Sequence, residues 1–543
     1  MADPTPPDWS AAILAWRDAL GPDRVFTAGP EMDALQQNVS ALQRRIPARL
    51  VPRTTADVQR VIQIANIHRT PVFPTSTGAN WGLGSGLPVR DDTAIVDLSA
   101  MNRIHEVNVA GHYADIEPGV TQGQLYDYLH ANQLPLRLNV TGSGRNTSLI
   151  GNALERGIGY FASRADALSG MEVVLGNGEI VRTGCAHLDS SRITHAYPAG
   201  IGPDLNGLFA QSNFGIVTRA GFALMPDAGQ AMSVVAKIAD DEQLIPFFDA
   251  LIDLRRRGIV QTIWHVGNRQ RSEIALGPLV ADQLRQQVPA TPPTPLREQA
   301  LALLAQEGFG AWNAVGGVFG TPTLLRAMRR EIKAALRGLA HVTFLDDRKW
   351  ALAERWLARW PAWPAVRRKR IMLQAIKPLY QLAQGVPTDA ALKSVAWPVG
   401  QDTSKPIHDV DPGHSGMLYV LPFFPLAGAV AREVIDVATA ILGQAGFEAY
   451  ITLNFISSRI AEAVINCAFD RRDEQATAAA HRAVDELTER YIAMGYPPYR
   501  LGIQHMDKLV DGDKPFWQTV RALKQTLDPN GIIAPGRYCP PNS

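Results

Sequence analysis

The chain has 543 residues, 46% apolar and 19% charged, with a formal net charge of +1. That length calls for two or more domains, and the composition is that of a folded rather than a disordered chain. A near-neutral charge with no basic stripe argues against general nucleic-acid or membrane-surface binding and leaves a small molecule as the expected partner.

Cys185, Cys467 and Cys539 are far apart and fit neither a zinc spacing nor a disulfide framework, so no metal is expected. The first ten residues lack the basic start and apolar run of a signal peptide, and no run of about 18 apolar residues occurs. The expectation is a cytoplasmic protein without a membrane span.

In chain order, Thr54 or Thr55 caps a helix predicted over residues 56–68, with Val58, Val61, Ile62 and Ile64 on its apolar side. A strand at 71–75 leads into a glycine-rich stretch at 78–86, and a second strand follows at 93–97. Further strands are read at 104–109 and 112–117, and Thr121 opens a helix carrying Leu125 and Leu129. Strands at 171–175 and 179–182 flank Gly176, Asn177 and Gly178, a hairpin signal because such residues tolerate positive φ. Beyond residue 232 longer helical patterns appear, at 323–339 and 427–446, and prolines gather at 289–295 as a surface loop or linker. The expected organisation is an N-terminal α+β unit, 1–228, completed by 497–543, with a cap domain, 229–496, inserted between them.

Two segments carry the chemistry. The first runs through Pro74, Thr75, Ser76, Thr77, Gly78, Ala79, Asn80, Trp81, Gly82, Leu83, Gly84, Ser85 and Gly86. Its glycines permit close backbone approach, and successive N–H groups in such a turn can cradle a pyrophosphate. It is not a Rossmann loop, because a strand rather than a helix follows the glycines. On its own it reads equally well as an ordinary glycine-rich loop. The second segment, 141–160, includes Gly142, Ser143, Ser148, Gly151, Asn152, Gly157, Gly159 and Tyr160. A polar stretch of this length is uncommon unless functional, and it suits the second wall of a large cofactor site. A third piece, Ser212 to Thr218 with Gly215, Ile216 and Val217, could add backbone contacts.

Together with Met101-Asn102-Arg103, Glu117-Pro118-Gly119, Tyr499-Arg500 and the run from Asp528 to Gly536, these segments resemble the vanillyl-alcohol oxidase and p-cresol methylhydroxylase flavoprotein family. The resemblance spans most of the chain in the same order. It implies an α+β fold of two domains, a PCMH-type FAD-binding domain and an α+β cap, and an FAD-dependent oxidase or dehydrogenase that often assembles as a homodimer. Its substrate would be an aryl or allylic alcohol, a phenol or a related natural-product intermediate, with oxygen or another acceptor receiving the electrons. Arg500 is implied as the arginine at the flavin N1–C2=O edge, and Arg537 as a further cofactor contact. Tyr499 is implied as a phenol-binding tyrosine, and Arg500 beside it would favour its phenolate. Read without the resemblance, the Tyr-Arg pair is better explained as a structural loop anchor.

Three positions depart from the family pattern. Leu83 stands where relatives carry a tyrosine, and Ser143 where they carry an aspartate. Met417 stands where they carry the histidine that links covalently to FAD. Non-covalent FAD is therefore expected, with His414 or Tyr419 as the attachment point if a link exists. Ser143 could hydrogen-bond the substrate, but a neutral hydroxyl is a poor base. Two other readings stand: a 2-hydroxy-acid or sugar oxidoreductase on the same fold, whose substrate carboxylate would want further basic groups in the cap, and a non-catalytic flavin-binding protein.

Overall fold

The structure is a computed structural model that describes residues 7–227, 229–286, 295–360 and 363–540. The expected proline loop at 289–295 lies outside the described residues apart from Pro295.

The N-terminal region holds two sheets. In the first, Arg49–Leu50, Ala94–Asp97 and Val72–Thr75 run parallel, and Val25–Phe26 pairs antiparallel on the outer edge. The helix Thr55–His68 starts where its sequence says: the Thr54 hydroxyl accepts from the Asp57 N–H, and Val58, Val61, Ile62 and Ala65 are buried. They pack with Val72, Ile95 and Val96 into one core cluster. The second sheet is antiparallel, in the order Ile104–Asn108, Tyr113–Ile116, Gly215–Ala223, Leu168–Leu175, Ile180–Arg182. Its last two strands form the expected hairpin, with Gly178 at φ +85°.

The chain's end returns to the first sheet. Val72 N–H donates to Ile532 C=O (2.8 Å) and Ala534 N–H to Val72 C=O (2.7 Å). Asp528 fixes this return, accepting from the N–H groups of Ile532 and Ile533 and pairing with Lys524. Lys524 and Asp528 are both buried, and Lys524 also donates to the carbonyls of Asn213 and Ile533.

Between these parts, the described residues form an eight-stranded antiparallel sheet. Seven strands run in the order His341–Leu345, Gln230–Ile238, Trp312–Gly320, His265–Asn268, Tyr450–Phe455, Ile460–Asp470, Ser415–Val420; the eighth, Phe423–Pro425, pairs with Ile460–Asp470. One face, with Val266, Leu453, Ala463, Ile465 and Leu418, joins a large apolar core under the helices Leu244–Arg256, Gly428–Gln444 and Glu474–Ala493. The expected helices at 323–339 and 427–446 are found as Pro322–Ala335 and Gly428–Gln444.

Candidate active site

The glycine-rich loop lines a cleft. Pro74, Thr75, Ser76, Thr77, Gly78, Ala79 and Asn80 form one wall, Ser148, Gly151 and Asn152 another, and Gly215, Ile216 and Val217 a third. Arg500 and Arg537 complete it. Thr147 and Glu155 of the 141–160 segment and Ser212, just ahead of Gly215, also line it, as does Phe209, to which the sequence gives no pointer.

The residues suit a pyrophosphate-bearing cofactor. The N–H groups of Thr77, Gly78 and Ala79 donate to nothing among the described residues, leaving donors for phosphate oxygens. A Cβ on Gly151 would lie 2.8 Å from Ser76 Oγ, so a side chain there would crowd the two walls. The buried Nε of Arg500 has no hydrogen-bond partner, while its Nη2 donates to Asn80 Oδ1 (2.5 Å). An unpaired buried donor on a cationic side chain is costly unless a ligand accepts from it.

Several residues expected to hold the cofactor do not line this cleft. Trp81 turns to the far side of the loop, where it packs on a small cluster with Val39 and Met417. Gly82, at φ +75°, lies under Tyr419; a Cβ there would meet the Tyr419 ring at 2.4 Å. Gly157 and Gly159 make room for the side chains of Asn152 and Asn139, so their lack of a Cβ serves local packing. Ser143 Oγ is engaged by Thr141 Oγ1 (2.5 Å) and Thr147 Oγ1 (2.8 Å). Gly142 lies beside Tyr160, whose ring rests on His265 with centroids 4.5 Å apart.

This last contact leads to the second half of the site, the polar face of the cap sheet. Strand register sets its members: His265 opposes Asn454, Asn454 opposes Glu462, and Asn466 opposes both Tyr450 and Tyr419. Residues of alternate parity go to the apolar core, so these side chains share the other face. Asn454 Nδ2 donates to Glu462 (2.9 Å) and its Oδ1 meets His265 Nδ1 (2.7 Å). That network assigns the Nδ1–H tautomer to His265, and burial lowers its pKa to about 4, so the ring is neutral. Its Nε2 is then a buried acceptor without a partner.

Glu462 was not read in the sequence. It is 2% exposed, hydrogen-bonded to Asn454 and Tyr499, and burial raises its carboxyl to about 7. The signal was an acid set between apolar residues early in the strand Ile460–Asp470, which becomes meaningful only once the register is known. Tyr499 stacks on Phe423 (4.3 Å, 11°) and is fixed by its N–H to Leu421 C=O. The structure reverses the expectation of a Tyr499 phenolate. Burial and then the neighbouring Glu462 push its hydroxyl well above the usual phenol range, and Arg500 offsets this only in part.

The positions considered for covalent attachment separate. Met417 is buried in the small cluster with Val39 and Val410. His414 lies toward Asp470 (3.4 Å), and Tyr419 covers Gly82 with its hydroxyl raised to about 12 by burial. Leu83 is buried, its carbonyl accepting from Ile503 N–H.

Comparison with known proteins agrees with this geometry. Residues 46–184 match the FAD binding domain family, and residues 436–538 match the C-terminal domain of FAD linked oxidases. The chain is 32% identical over 535 residues to the 1'-carboxy-chondrochloren decarboxylase of Chondromyces crocatus, covering 97% of this chain and 96% of that protein. The chain belongs to the vanillyl-alcohol oxidase/p-cresol methylhydroxylase flavoprotein family. This flavoprotein is also 27% identical over 543 residues to the flavoprotein subunit of 4-cresol dehydrogenase [hydroxylating] of Pseudomonas putida, covering 98% and 95% of the two chains. Its fold superimposes on p-cresol methylhydroxylase with substrate bound at a TM-score of 0.81 and 26% identity, covering 98% and 97%. It is an FAD-linked oxidoreductase with the α+β architecture of that family. Among its described residues no helix is long and apolar enough to cross a membrane.

Proposed function

We propose that this flavoprotein removes a hydride from a carbon next to an aromatic ring or double bond, with Glu462 accepting the substrate's O–H proton. The substrate class is an aryl or allylic alcohol or a phenol. The observation that carries the reading is Glu462: a buried carboxyl near pKa 7, hydrogen-bonded to Tyr499, in the charge field of Arg500. A base is most effective when its pKa lies near the working pH.

Bound FAD supplies the two-electron acceptor. The loop 74–80, Ser148, Gly151, Asn152, 215–217 and Arg537 would hold it, and the Arg500 guanidinium would offset negative charge arising there. Tyr499, kept neutral, donates its one O–H to the Glu462 carboxylate and so holds the base in place. Ser143, satisfied by two threonines, positions its own loop and takes no proton. FAD is held without a covalent bond, so denaturation should release it into the supernatant. The assembly is a homodimer in the cytoplasm, on family resemblance and composition, and the electrons would pass on to oxygen or another acceptor.

A second reading is favoured by the similarity to a protein named as a decarboxylase. With a carboxylate on the carbon beside the oxidised one, hydride loss lets the C–CO₂⁻ bond pair become a C=C bond as CO₂ leaves. Atoms and electrons balance with FAD as the two-electron acceptor.

Anaerobic mixing of the FAD-loaded protein with para-alkylphenols, aryl alcohols and their carboxylated analogues tests both readings. Bleaching of the flavin supports them and trapped CO₂ selects the second. A flavin that no member of the panel bleaches sinks the proposed substrate class.

A further inference from the structure

The polar face of the cap sheet carries a cation that the reaction above does not use. Arg271 lies in the first turn of the helix Arg269–Arg285, which follows directly from the strand His265–Asn268. Asn268 caps that helix by accepting the Arg271 N–H (3.0 Å), and its Oδ1 also accepts from Ile451 N–H, so the turn is tied to the sheet. Gly267 then decides where the side chain goes. It shares a face with His265, two residues away, and Arg271 Cγ and Cβ lie 3.2 and 3.5 Å from the point where a Gly267 Cβ would sit. The glycine therefore lets the Arg271 stem lie over the same face that carries Glu462, Asn454 and His265.

The Arg271 guanidinium makes no hydrogen bond and no ion pair among the described residues. That sets it apart from Arg500, which binds Asn80, and Arg537, which binds Glu155. Its surroundings are aromatic: its charge acts on Tyr160, His265, Tyr419 and Tyr450 and lowers the pKa of each, against the larger upward effect of burial on the tyrosines. Among the described residues no carboxylate pairs with it, and Asp470, of the same strand parity as Glu462, is held by Arg472. Glu462 is itself bound to Asn454 and Tyr499. A half-buried cation among rings attracts an anion.

We infer that Arg271 is the specificity residue for a carboxylate on the substrate, so that this flavoprotein takes aromatic substrates bearing a carboxylate on a short side chain. The inference rests on the function proposed above and adds a substrate class and a recognition residue to it. A guanidinium suits the task because its planar fork matches a carboxylate with two parallel donors. The unpartnered Nε2 of neutral His265 gives the same face an acceptor for a substrate hydroxyl or amide N–H.

The test uses the FAD-loaded protein and two probes of equal shape, 3-(4-hydroxyphenyl)propionate and its primary amide, each titrated against the flavin absorbance. The wild type is expected to bind the propionate about tenfold or more tightly over the amide, the gain from one charge-assisted pair. Arg271→Gln should bring that ratio near one, and Arg271→Lys should retain part of it, which separates charge recognition from damage to the fold. A wild type without preference for the carboxylate overturns the inference, as does an Arg271→Gln variant that keeps the preference. If neutral alkylphenols bleach the flavin while the carboxylate earns no preference, the anchor fails and the hydride chemistry stands. If the preference holds and nothing bleaches, the anchor stands and the chemistry fails.

Discussion

Replacing Glu462 by Gln separates its effect on folding from its effect on the reaction, because the two have opposite signs. The carboxyl is 2% exposed and raised from an ordinary 4.5 to about 7. A raised acid favours the fold in its protonated form. That contribution is fully present below about pH 4.5 and is lost as pH rises to about 7. The gap corresponds to about 3 kcal/mol of stability at pH 8 relative to pH 4.5. Gln keeps the shape and the hydrogen bond from Asn454 but does not ionise. The variant should therefore gain on the wild type by about 3 kcal/mol as pH goes from 4.5 to 8, read by urea unfolding at each pH. Catalysis should move the other way. Wild-type kcat/KM should rise with pH to a plateau above about 7, and Glu462→Gln should lose that limb together with roughly 10²- to 10⁴-fold in rate. A variant with an unchanged pH limb, or with a stability difference that does not widen across this range, refutes the reasoning.

Tyr499→Phe should lower kcat/KM by roughly 10- to 100-fold and move the limb upward from about pH 7, because the Tyr499 hydrogen bond holds the Glu462 carboxyl down; a limb that stays in place or moves down would contradict that. Gly82→Ala should cost about 1–3 kcal/mol and displace Tyr419, seen as a lower thermal midpoint and an altered flavin spectrum, since the position is at φ +75° and a Cβ meets the ring at 2.4 Å. Lys524→Met should destabilise by about 3–5 kcal/mol by leaving Asp528 buried without its cation, with part restored in the Lys524→Met/Asp528→Asn double variant. Trichloroacetic acid precipitation should leave a colourless pellet and free FAD; a yellow pellet would direct attention to His414 or Tyr419.

Local information fixed the N-terminal elements well. A threonine at the start of an apolar-periodic run suffices to begin the helix Thr55–His68, and Gly176-Asn177-Gly178 suffices for a hairpin, because both depend on residues adjacent in sequence. The glycine loop and its resemblance to flavoproteins were legible for the same reason. Leu149–Leu154 was less so: it reads as polar loop yet forms a short helix capped by Ser148, within an environment the segment alone does not reveal.

The chemistry needed the tertiary structure. Glu462, Asn454 and His265 come from three strands up to about two hundred residues apart in sequence, and only the antiparallel register places them on one face. The cation beside Tyr499, Arg500, is visible in sequence and points to a phenolate, whereas the burial and Glu462 that oppose it exist only in the fold. Arg271 reads as one of many arginines until Gly267 and an empty set of partners give it a place. The sequence by itself determined the flavin-binding frame, because loop geometry is a local property. Which side chains share the polar face of the cap sheet, and in what protonation state, was decided by strand register and burial, because cross-strand pairing and burial are properties of the whole fold.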